Sequence, residues 1–580
     1  MTTASRAFLR LSYPHPRWAM VRWAPDAALD LDTQGAVAAL AELPGVKFHA
    51  GPEWTQLDVP QNVWMTDAWA LVQNARTFGV NHNAASSGRM SAARAPHLWS
   101  PKEPLYAHQV EAARFLVANN GGLCADQMGL GKTRVAIVAA QTLAAQIDST
   151  QARVIIAPGY TRDVWRRELL ATGAIKTPEG MAAAYTRDPT YDGFNWHAPW
   201  WFIHYDIAHW WQVFMAVRRP SVAILDEVHW IKNGRARRSK AAGTVAGVAP
   251  ARIALTGTPI SNRPVELWWP LTVLDGRGSW GGPGQFRERY CGAVRDEYGL
   301  QDTGPTRVPE LRERLTTRYI RRTIDDAGVE LPPLTRSALR VEFDEASCAK
   351  HADVVEALGQ ERLIEALVRG DGVKDVLAKI TKLRKIVSKA KLDATVKLAS
   401  DMLEQGESVV IFTWQKKTAA KIHDAIDVAL EKRDVDPGVL YWLHGGRAQA
   451  ERDQLVAWFQ AKGGLLVATL GALREGVTLT KARHLILHDL DWVPANILQA
   501  EARIYRIGQD KPTTVTWVMV DKSIDVLLAT CLVAKARVMR EVLAIDAAAE
   551  AFGELDLATF AGEVSAAAAV RRFLDELEDL

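Results

Sequence analysis

The sequence predicts an α/β protein of two lobes, each a parallel sheet flanked by helices. A small N-terminal accessory module precedes the lobes and a helical C-terminal tail follows them. Three observations carry that reading. Between Leu105 and about Thr323, short apolar runs of strand length alternate with amphipathic stretches. The same rhythm returns between Ser408 and His488. Runs that are apolar on both sides suit strands covered by helices on both faces. The third observation is a glycine-rich turn between an apolar run and a helix, Leu123-Cys-Ala-Asp-Gln-Met-Gly-Leu-Gly-Lys-Thr133.

The first set of strands reads as Arg153-Val-Ile-Ile-Ala-Pro, Trp201-Phe-Ile-His, Val222-Ala-Ile-Leu-Asp and Arg252-Ile-Ala-Leu-Thr-Gly. The second set reads as Ser408-Val-Val-Ile-Phe-Thr, Val439-Leu-Tyr-Trp-Leu-His, Gly464-Leu-Leu-Val-Ala-Thr and His484-Leu-Ile-Leu-His. A charged region between them lacks such runs and reads as helical. Ahead of both, Val46–His49 and Glu53–Val59 flank Ala50-Gly-Pro and read as strand, turn and strand. Asp67–Thr77 reads as a helix with Thr66 as its N-cap, and the polar stretch Asn81–Pro104 as a linker. The resulting division is 1–100 accessory module and linker, 101–330 first lobe, 331–400 helical interlobe region, 401–530 second lobe and 531–580 acidic helical tail.

Composition narrows the class. With 580 residues, 48% of them hydrophobic and 24% charged, the chain is long enough for several cores and is not a disordered polymer. No apolar run reaches the ~18 residues that span a bilayer, and the first residues lack the layout of a signal peptide. Cys124, Cys291, Cys348 and Cys531 form no Cys-x-x-Cys pair, which disfavours a zinc site or a disulfide framework and suits a reducing cytosol. The net charge of +3 is uneven. Ten carboxylates against Arg571 and Arg572 give residues 541–580 a charge of −8, so the rest sums to +11 by subtraction. A basic body suits nucleic acid as partner, and an acidic tail suits a protein partner or a shield for the basic surface.

The glycine-rich turn is where chemistry concentrates. Glycines let main-chain N–H groups turn inward, the helix N-terminus favours an anion, and Lys132 neutralises the outer phosphates of a nucleotide. Residues 126–133 (Asp126, Gln127, Met128, Gly129, Leu130, Gly131, Lys132, Thr133) form the cradle, with Thr133 placed to hold Mg²⁺. The strict phosphate-loop pattern has glycine where Asp126 stands. Asp226-Glu-Val-His229 follows a buried run 94 residues after Lys132. Asp226 at a strand end suits the metal, and Glu227 the activation of the attacking water. Upstream, Gln109 has an amide that matches both donor and acceptor on adenine, and Tyr106 can pack on the base. In the second lobe Arg503 and Arg506 sit three apart, on one face of a helical turn, in Gln499-Ala-Glu-Ala-Arg-Ile-Tyr-Arg-Ile-Gly-Gln509. Guanidinium groups presented across a cleft act as arginine fingers on a γ-phosphate.

In this order, Leu-Tyr-x-His-Gln from Leu105, the loop ending at Thr133, the Asp226 box, Leu255-Thr-Gly-Thr-Pro259 and the Gln499–Gln509 segment resemble the Snf2 family of superfamily 2 helicase-like ATPases. Ile231-Lys-Asn, Ile320-Arg-Arg322 and Ile411-Phe-Thr-Trp414 agree, so the resemblance covers roughly residues 101–530. It implies two RecA-like lobes with ATP in the cleft, with Gln499 joining the nucleotide site. It further implies translocation on double-stranded or branched DNA, read through the backbone and not the sequence. Two departures stand out. Gln127 replaces a usual acidic residue, and Ala472–Leu479 lacks the usual glycine pair, as in the HARP-type annealing-helicase branch. The strand–turn–strand of Val46–Val59 resembles the module by which that branch grips forks.

The same resemblance places DNA contacts at Pro158, Gly159, Tyr205, Lys232, Asn233, Thr413, Trp414, His444, Gly445 and Thr469. The five cations between Lys232 and Lys240 suit either DNA or solvent. The tryptophan clusters at 196–211 and 268–280 read as packing in preference to base stacking. The expected protein is thus a compact ATP-driven duplex-DNA translocase, a monomer working with ATP and Mg²⁺ in a bacterial or virus-infected cytosol, or in the nucleus of a eukaryote. A strand-separating helicase of the same superfamily and an ATP-switched DNA-binding protein are the rivals.

Overall fold

The computed structural model describes residues 10–15, 18–23, 47–50 and 55–60, and residues 98–543 apart from 148–149, 192, 261–262, 277, 297–298, 358–373, 436–439, 445, 448 and 472–476. The helix expected over Asp67–Thr77, most of the linker and the tail beyond residue 543 lie outside the described residues. At the N-terminus, β1 (Arg10–His15), β2 (Trp18–Trp23), β3 (Lys47–Ala50) and β4 (Thr55–Pro60) form an antiparallel sheet in the order β1-β2-β4-β3. The pair β3–β4 supplies the two strands expected from the sequence, with Ala50 opposite Thr55, and residues 51–54 between them lie outside the described residues.

The first lobe is a seven-stranded sheet in the order β13-β5-β10-β9-β6-β8-β7, parallel throughout. Its strands are β5 (Gly121–Cys124), β6 (Arg153–Ala157), β7 (Met181–Ala183), β8 (Trp200–His204), β9 (Val222–Leu225), β10 (Ala251–Leu255) and β13 (Tyr319–Ile320). The antiparallel hairpin β11 (Val294–Asp296) and β12 (Gly299–Gln301) lies outside that sheet. Alternate strand residues feed two cores. Ile155 and Ile253 join Val135, Ile137 and Leu116 of α1 (Ala107–Ala118) and α2 (Lys132–Gln146) on one face. Val154, Ile156 and Ala254 join residues on the other face, where Trp211 of one helix and Val245 of another are buried. The helices α3 (Arg162–Thr172), α4 (Ala208–Arg218), α5 (Arg237–Gly247), α6 (Trp268–Asp275), α7 (Pro283–Tyr290) and α8 (Val308–Leu315) complete the lobe. Trp200, Trp201, Trp211, Trp269 and Trp280 are all buried, as packing requires, whereas Trp210 is exposed.

The second lobe is also wholly parallel, in the order β14-β19-β18-β15-β17-β16. It uses β14 (Leu334–Val341), β15 (Val409–Thr413), β16 (Leu440–Leu443), β17 (Leu465–Thr469), β18 (His484–Leu487) and β19 (Thr513–Val520). Its helices are α9 (Glu345–Glu356), α10 (Lys374–Ala390), α11 (Leu392–Glu404), α12 (Lys416–Glu431), α13 (Gln449–Lys462), α14 (Pro494–Glu501) and α15 (Ile524–Leu543). The stretch from 331 to 400 is therefore not helical at its start. β14 is an edge strand, and its mixture of half-buried and exposed residues, with Arg336 and Arg340, conceals it from a search for continuous apolar runs. The chain is two RecA-like lobes, each with its functional loops at the carboxyl edge of a parallel sheet.

Candidate active site

Three neighbouring strands deliver the site. β5 runs into the glycine-rich loop, β9 into Asp226 and Glu227, and β10 into Thr256-Gly257-Thr258. Gly129 (φ 91°) and Gly131 (φ 78°) adopt left-handed backbone, and Gly131 caps the N-terminus of α2. A Cβ on Gly131 would stand 2.3 Å from Gln109 Nε2, so the loop also needs glycine there to seat that amide. Gln109 Nε2 donates to Leu130 O at 3.1 Å and its Oε1 accepts from Tyr106 N at 3.2 Å. His108 Nε2 lies 3.2 Å from the same Leu130 carbonyl. Tyr106 is 55% exposed, which leaves its ring open to a flat ligand.

Lys132 Nζ donates to Asp126 O at 2.7 Å and Gln127 O at 3.2 Å, so the ammonium sits inside the loop. Burial lowers its pKa, opposed by the charges of Glu227, Cys124, Asp126 and Asp226. Asp226 Oδ2 accepts from Trp165 Nε1 at 2.8 Å and Oδ1 from Glu227 N at 2.9 Å. Burial, and then the charge of Glu227, push its carboxyl up to about 7. Glu227 has φ 47°. For Glu227 burial acts upward too, but His229, Lys132 and Arg503 outweigh it and hold the carboxyl below the ordinary value. Its Oε2 is buried, 3.2 Å from His229 Nδ1 without an aligned hydrogen bond. His229 Nδ1 also lies 3.3 Å from Thr256 Oγ1, which accepts from Thr258 N at 3.1 Å. Met128 packs over the Thr256–Thr258 turn, where a Cβ on Gly257 would meet its Cγ at 2.5 Å.

The second lobe reaches into this place. Arg503 is close enough to act electrostatically on Glu227. A Cβ on Gly129 would lie 3.2 Å from Arg506 Cβ, and burial together with Arg167 lowers the Arg506 pKa. Gln499 is half-buried on α14, in the helix that leads into the two arginines. The donor set fits a nucleoside triphosphate with its divalent cation: a buried carboxylate oxygen without a hydrogen bond, an ammonium, a helix N-terminus and two guanidiniums converge.

Two sequence readings change in detail. The Asp126 side chain is fully buried and engaged by Arg322, whose Nη2 lies 2.5 Å from Oδ2, whose Nε lies 3.2 Å from Oδ1 and whose main-chain N lies 3.0 Å from Oδ1. Asp126 thus serves the loop through its carbonyl. Gln127 Oε1 accepts from Ile324 N at 2.9 Å, tying the loop to the chain leaving the first lobe. Among the residues placed on DNA, Pro158, Tyr205, Thr413, His444 and Thr469 have buried side chains. Tyr205 instead donates its hydroxyl to Asp226 O at 2.8 Å. Gly159, Lys232, Asn233 and Trp414 remain at least partly exposed, and Gly445 lies outside the described residues. The sequence reading does not single out Trp165 and names Arg322 only within a family motif; their partners are 61 and 196 residues away, beyond any local pattern.

A family model described as SNF2-related domain matches residues 64–392, and one described as Helicase conserved C-terminal domain matches residues 390–508. The chain is similar to the SWI/SNF-related matrix-associated actin-dependent regulator of chromatin subfamily A-like protein 1 of Drosophila melanogaster, 25% identical over 445 residues, or 76% of this chain and 56% of that protein. It is also similar to the DNA annealing helicase and endonuclease ZRANB3 of Homo sapiens, 29% identical over 331 residues, or 56% of this chain and 30% of that one. Among solved structures it is similar to the Sulfolobus solfataricus SWI2/SNF2 ATPase core in complex with dsDNA, with a TM-score of 0.38, 21% identity, and coverage of 80% of this chain and 98% of the other. The chain spans about half or less of the length of these two curated relatives.

Proposed function

This chain belongs to the SNF2-related domain family, and from that footing we propose that it is a DNA-dependent ATPase that moves along double-stranded DNA. The observation that carries the proposal is convergence of the two lobes on one cleft: Glu227 of the first feels Arg503 of the second, and Arg506 covers Gly129. A nucleotide switch without turnover needs no such set of base and fingers.

In this reading Lys132 exchanges the Asp126 and Gln127 carbonyls for β- and γ-phosphate oxygens. Thr133 and Asp226 would hold Mg²⁺, which would supply charge neutralisation on the triphosphate. Glu227 orients the attacking water and takes its proton, and its lowered pKa keeps the carboxylate ionised for that role. Arg503 and Arg506 stabilise charge on the transferred group, and only a closed cleft presents them. Closure therefore follows nucleotide and reopening follows hydrolysis, which moves the two lobes' grips on DNA past one another. Tyr106 and Gln109 hold the base, with Gln127, Met128, Leu130 and Gln499 shaping the surrounding walls.

The DNA is gripped through its backbone without sequence preference, at Gly159, Lys232, Asn233 and Trp414. Forked or branched DNA is the finer substrate we propose, in keeping with the similarity to a DNA annealing helicase. The protein acts as a monomer in the cytosol, or in the nucleus of a eukaryote, with a protein partner for the acidic tail. Among the described residues no helix is long and apolar enough to cross a membrane. The domain scheme of 1–100, 101–330, 331–400, 401–530 and 531–580 is proposed with it, β14 being assigned to the second lobe.

The test is steady-state ATP hydrolysis without DNA and with single strands, blunt duplex or forked duplex. Duplex stimulation that disappears in Lys132→Ala and Glu227→Gln is the expected result. Turnover unchanged in both variants contradicts the assigned roles, and stimulation by single strands alone points to a strand-separating helicase.

A further inference from the structure

The first lobe carries an exposed strip of aromatic rings and arginines beside the loops assigned to duplex DNA. Because its sheet is parallel throughout, β9, β6, β8 and β7 end on one edge in that order. Asp226 lies at the end of β9 and Gly159 beyond β6, so the segments after β8 and β7 continue the same line outward. Tyr191 is 51% exposed there, and two further exposed rings are met by arginines: Tyr185 is 58% exposed and Trp210 37%. Their neighbours Trp200, Trp201 and Trp211 are buried.

Arginines frame both rings. Arg162 lies over the Tyr185 ring at 5.0 Å, and Arg166 Nη2 reaches the Tyr185 hydroxyl at 3.3 Å. Arg187 lies over the Trp210 ring at 4.8 Å. The buried neighbour Trp211 donates its indole N–H to Thr186 O at 2.7 Å, which locks α4 to the segment carrying Tyr185 and Arg187. At its inner end the strip borders the cleft, since Arg162 feels Asp453 on α13 of the second lobe. Asp163 bridges Arg162 and Arg166 at 2.8 and 3.2 Å, and Asp188 Oδ1 accepts from Thr190 N and Oγ1 at 2.9 and 2.6 Å. Asp206, after β8, lies 3.9 Å from both His204 Nδ1 and Arg238 Nη1.

The Trp210 ring also packs against His209, with ring centroids 3.4 Å apart, and keeps 37% of its surface exposed. The exposed part of an arginine-backed ring is flat and apolar with positive charge around it, which matches a nucleobase and its phosphate. A closed duplex has no base face to offer such a ring, while an unpaired strand has one at every nucleotide. We propose that this strip binds the unpaired DNA strand that adjoins the duplex held by the motif loops. It rests on the duplex-translocase reading, and it assigns Tyr185 and Trp210 as stacking platforms and Arg187 as a phosphate contact.

The test uses the full chain and compares a blunt duplex with the same duplex bearing one single-stranded arm. Binding is read by fluorescence anisotropy without nucleotide, and ATP turnover is read on each DNA. Tyr185→Ala/Trp210→Ala loses about ten-fold in affinity for the armed DNA, with blunt-duplex affinity and blunt-duplex-stimulated turnover unchanged, and Trp210→Phe retains most of the armed-DNA affinity. Equal affinity of the double variant and the parent for the armed DNA overturns the proposal, as does an equal loss on both DNAs. Lack of blunt-duplex stimulation in the parent instead breaks the underlying translocase reading, and the armed-DNA comparison still judges the strip.

Discussion

The two lobes share a topology but treat the carboxyl edge of the sheet in opposite ways. In the first, Glu227 keeps a buried oxygen without a hydrogen bond, and Lys132 is held by main-chain carbonyls that a phosphate can replace. In the second, the corresponding edge of β15 and β18 is a closed network. Lys391, fully buried, lies 2.9 Å from Asp525 and 3.7 Å from Asp489. Asp489 also accepts from Thr413 Oγ1, from Trp414 N at 3.2 Å and from Ser388 Oγ at 3.3 Å. Thr395 Oγ1 lies 2.8 Å from His488 Nδ1. One edge retains electrostatic potential for a ligand; the other uses it up in holding the Thr413–Trp414 turn. In the proposed mechanism the difference assigns a role to each lobe: the first carries the reacting groups, and the second brings two arginines to them.

If that division holds, substitutions should separate cleanly into losses of rate and losses of stability. The largest effect belongs to the cleft. Arg506→Ala or Arg503→Ala should lower kcat for ATP by about 10³-fold, with the thermal midpoint unchanged, as measured by duplex-stimulated hydrolysis beside calorimetry. Retained turnover would remove the second lobe from catalysis. Next, Lys391→Ala strands Asp489 and Asp525 as buried charges. It should cost about 3–5 kcal/mol in denaturant unfolding, with ATP affinity of the remaining folded protein retained. A stability equal to the parent would mean that the network is not closed.

The smallest effect is a pH dependence within the second lobe. Burial, aided by Lys391 and opposed by Asp489, holds His488 neutral with a pKa of about 4. Between its ordinary value of 6.5 and about 4 the unfolded chain binds a proton that the folded chain refuses. The contribution is thus fully present above pH 6.5 and is lost as pH falls toward 4. His488→Gln should flatten that slope in thermal melts, and an unchanged slope would place the acid sensitivity elsewhere.

Much of this fold is legible because parallel strands buried on both faces are continuous apolar runs. β6, β8, β9 and β10 in the first lobe and β15 to β18 in the second all announce themselves that way. β14 and β19 do not, because Arg336 and Arg340 punctuate one and threonines the other. The proposed reacting groups are legible for a related reason: Lys132, Asp226, Glu227, Arg503 and Arg506 sit in short segments where residue type and spacing suggest the chemistry. Their supports are not. Trp165 holds Asp226 and Arg322 holds Asp126 across long separations that only folding closes. Nor does a strand end declare which way its side chain turns, which is why Tyr205 and Thr413 read as surface and prove to be core.

The claim that hydrolysis in the cleft drives movement along an intact duplex is tested most directly by triplex displacement. A third strand annealed to the middle of a blunt duplex is followed as the protein turns over ATP. The account predicts release of the third strand with ATP, none with a non-hydrolysable analogue or with Glu227→Gln, and no separation of the underlying duplex. Duplex-stimulated ATP hydrolysis that leaves the third strand in place would contradict it.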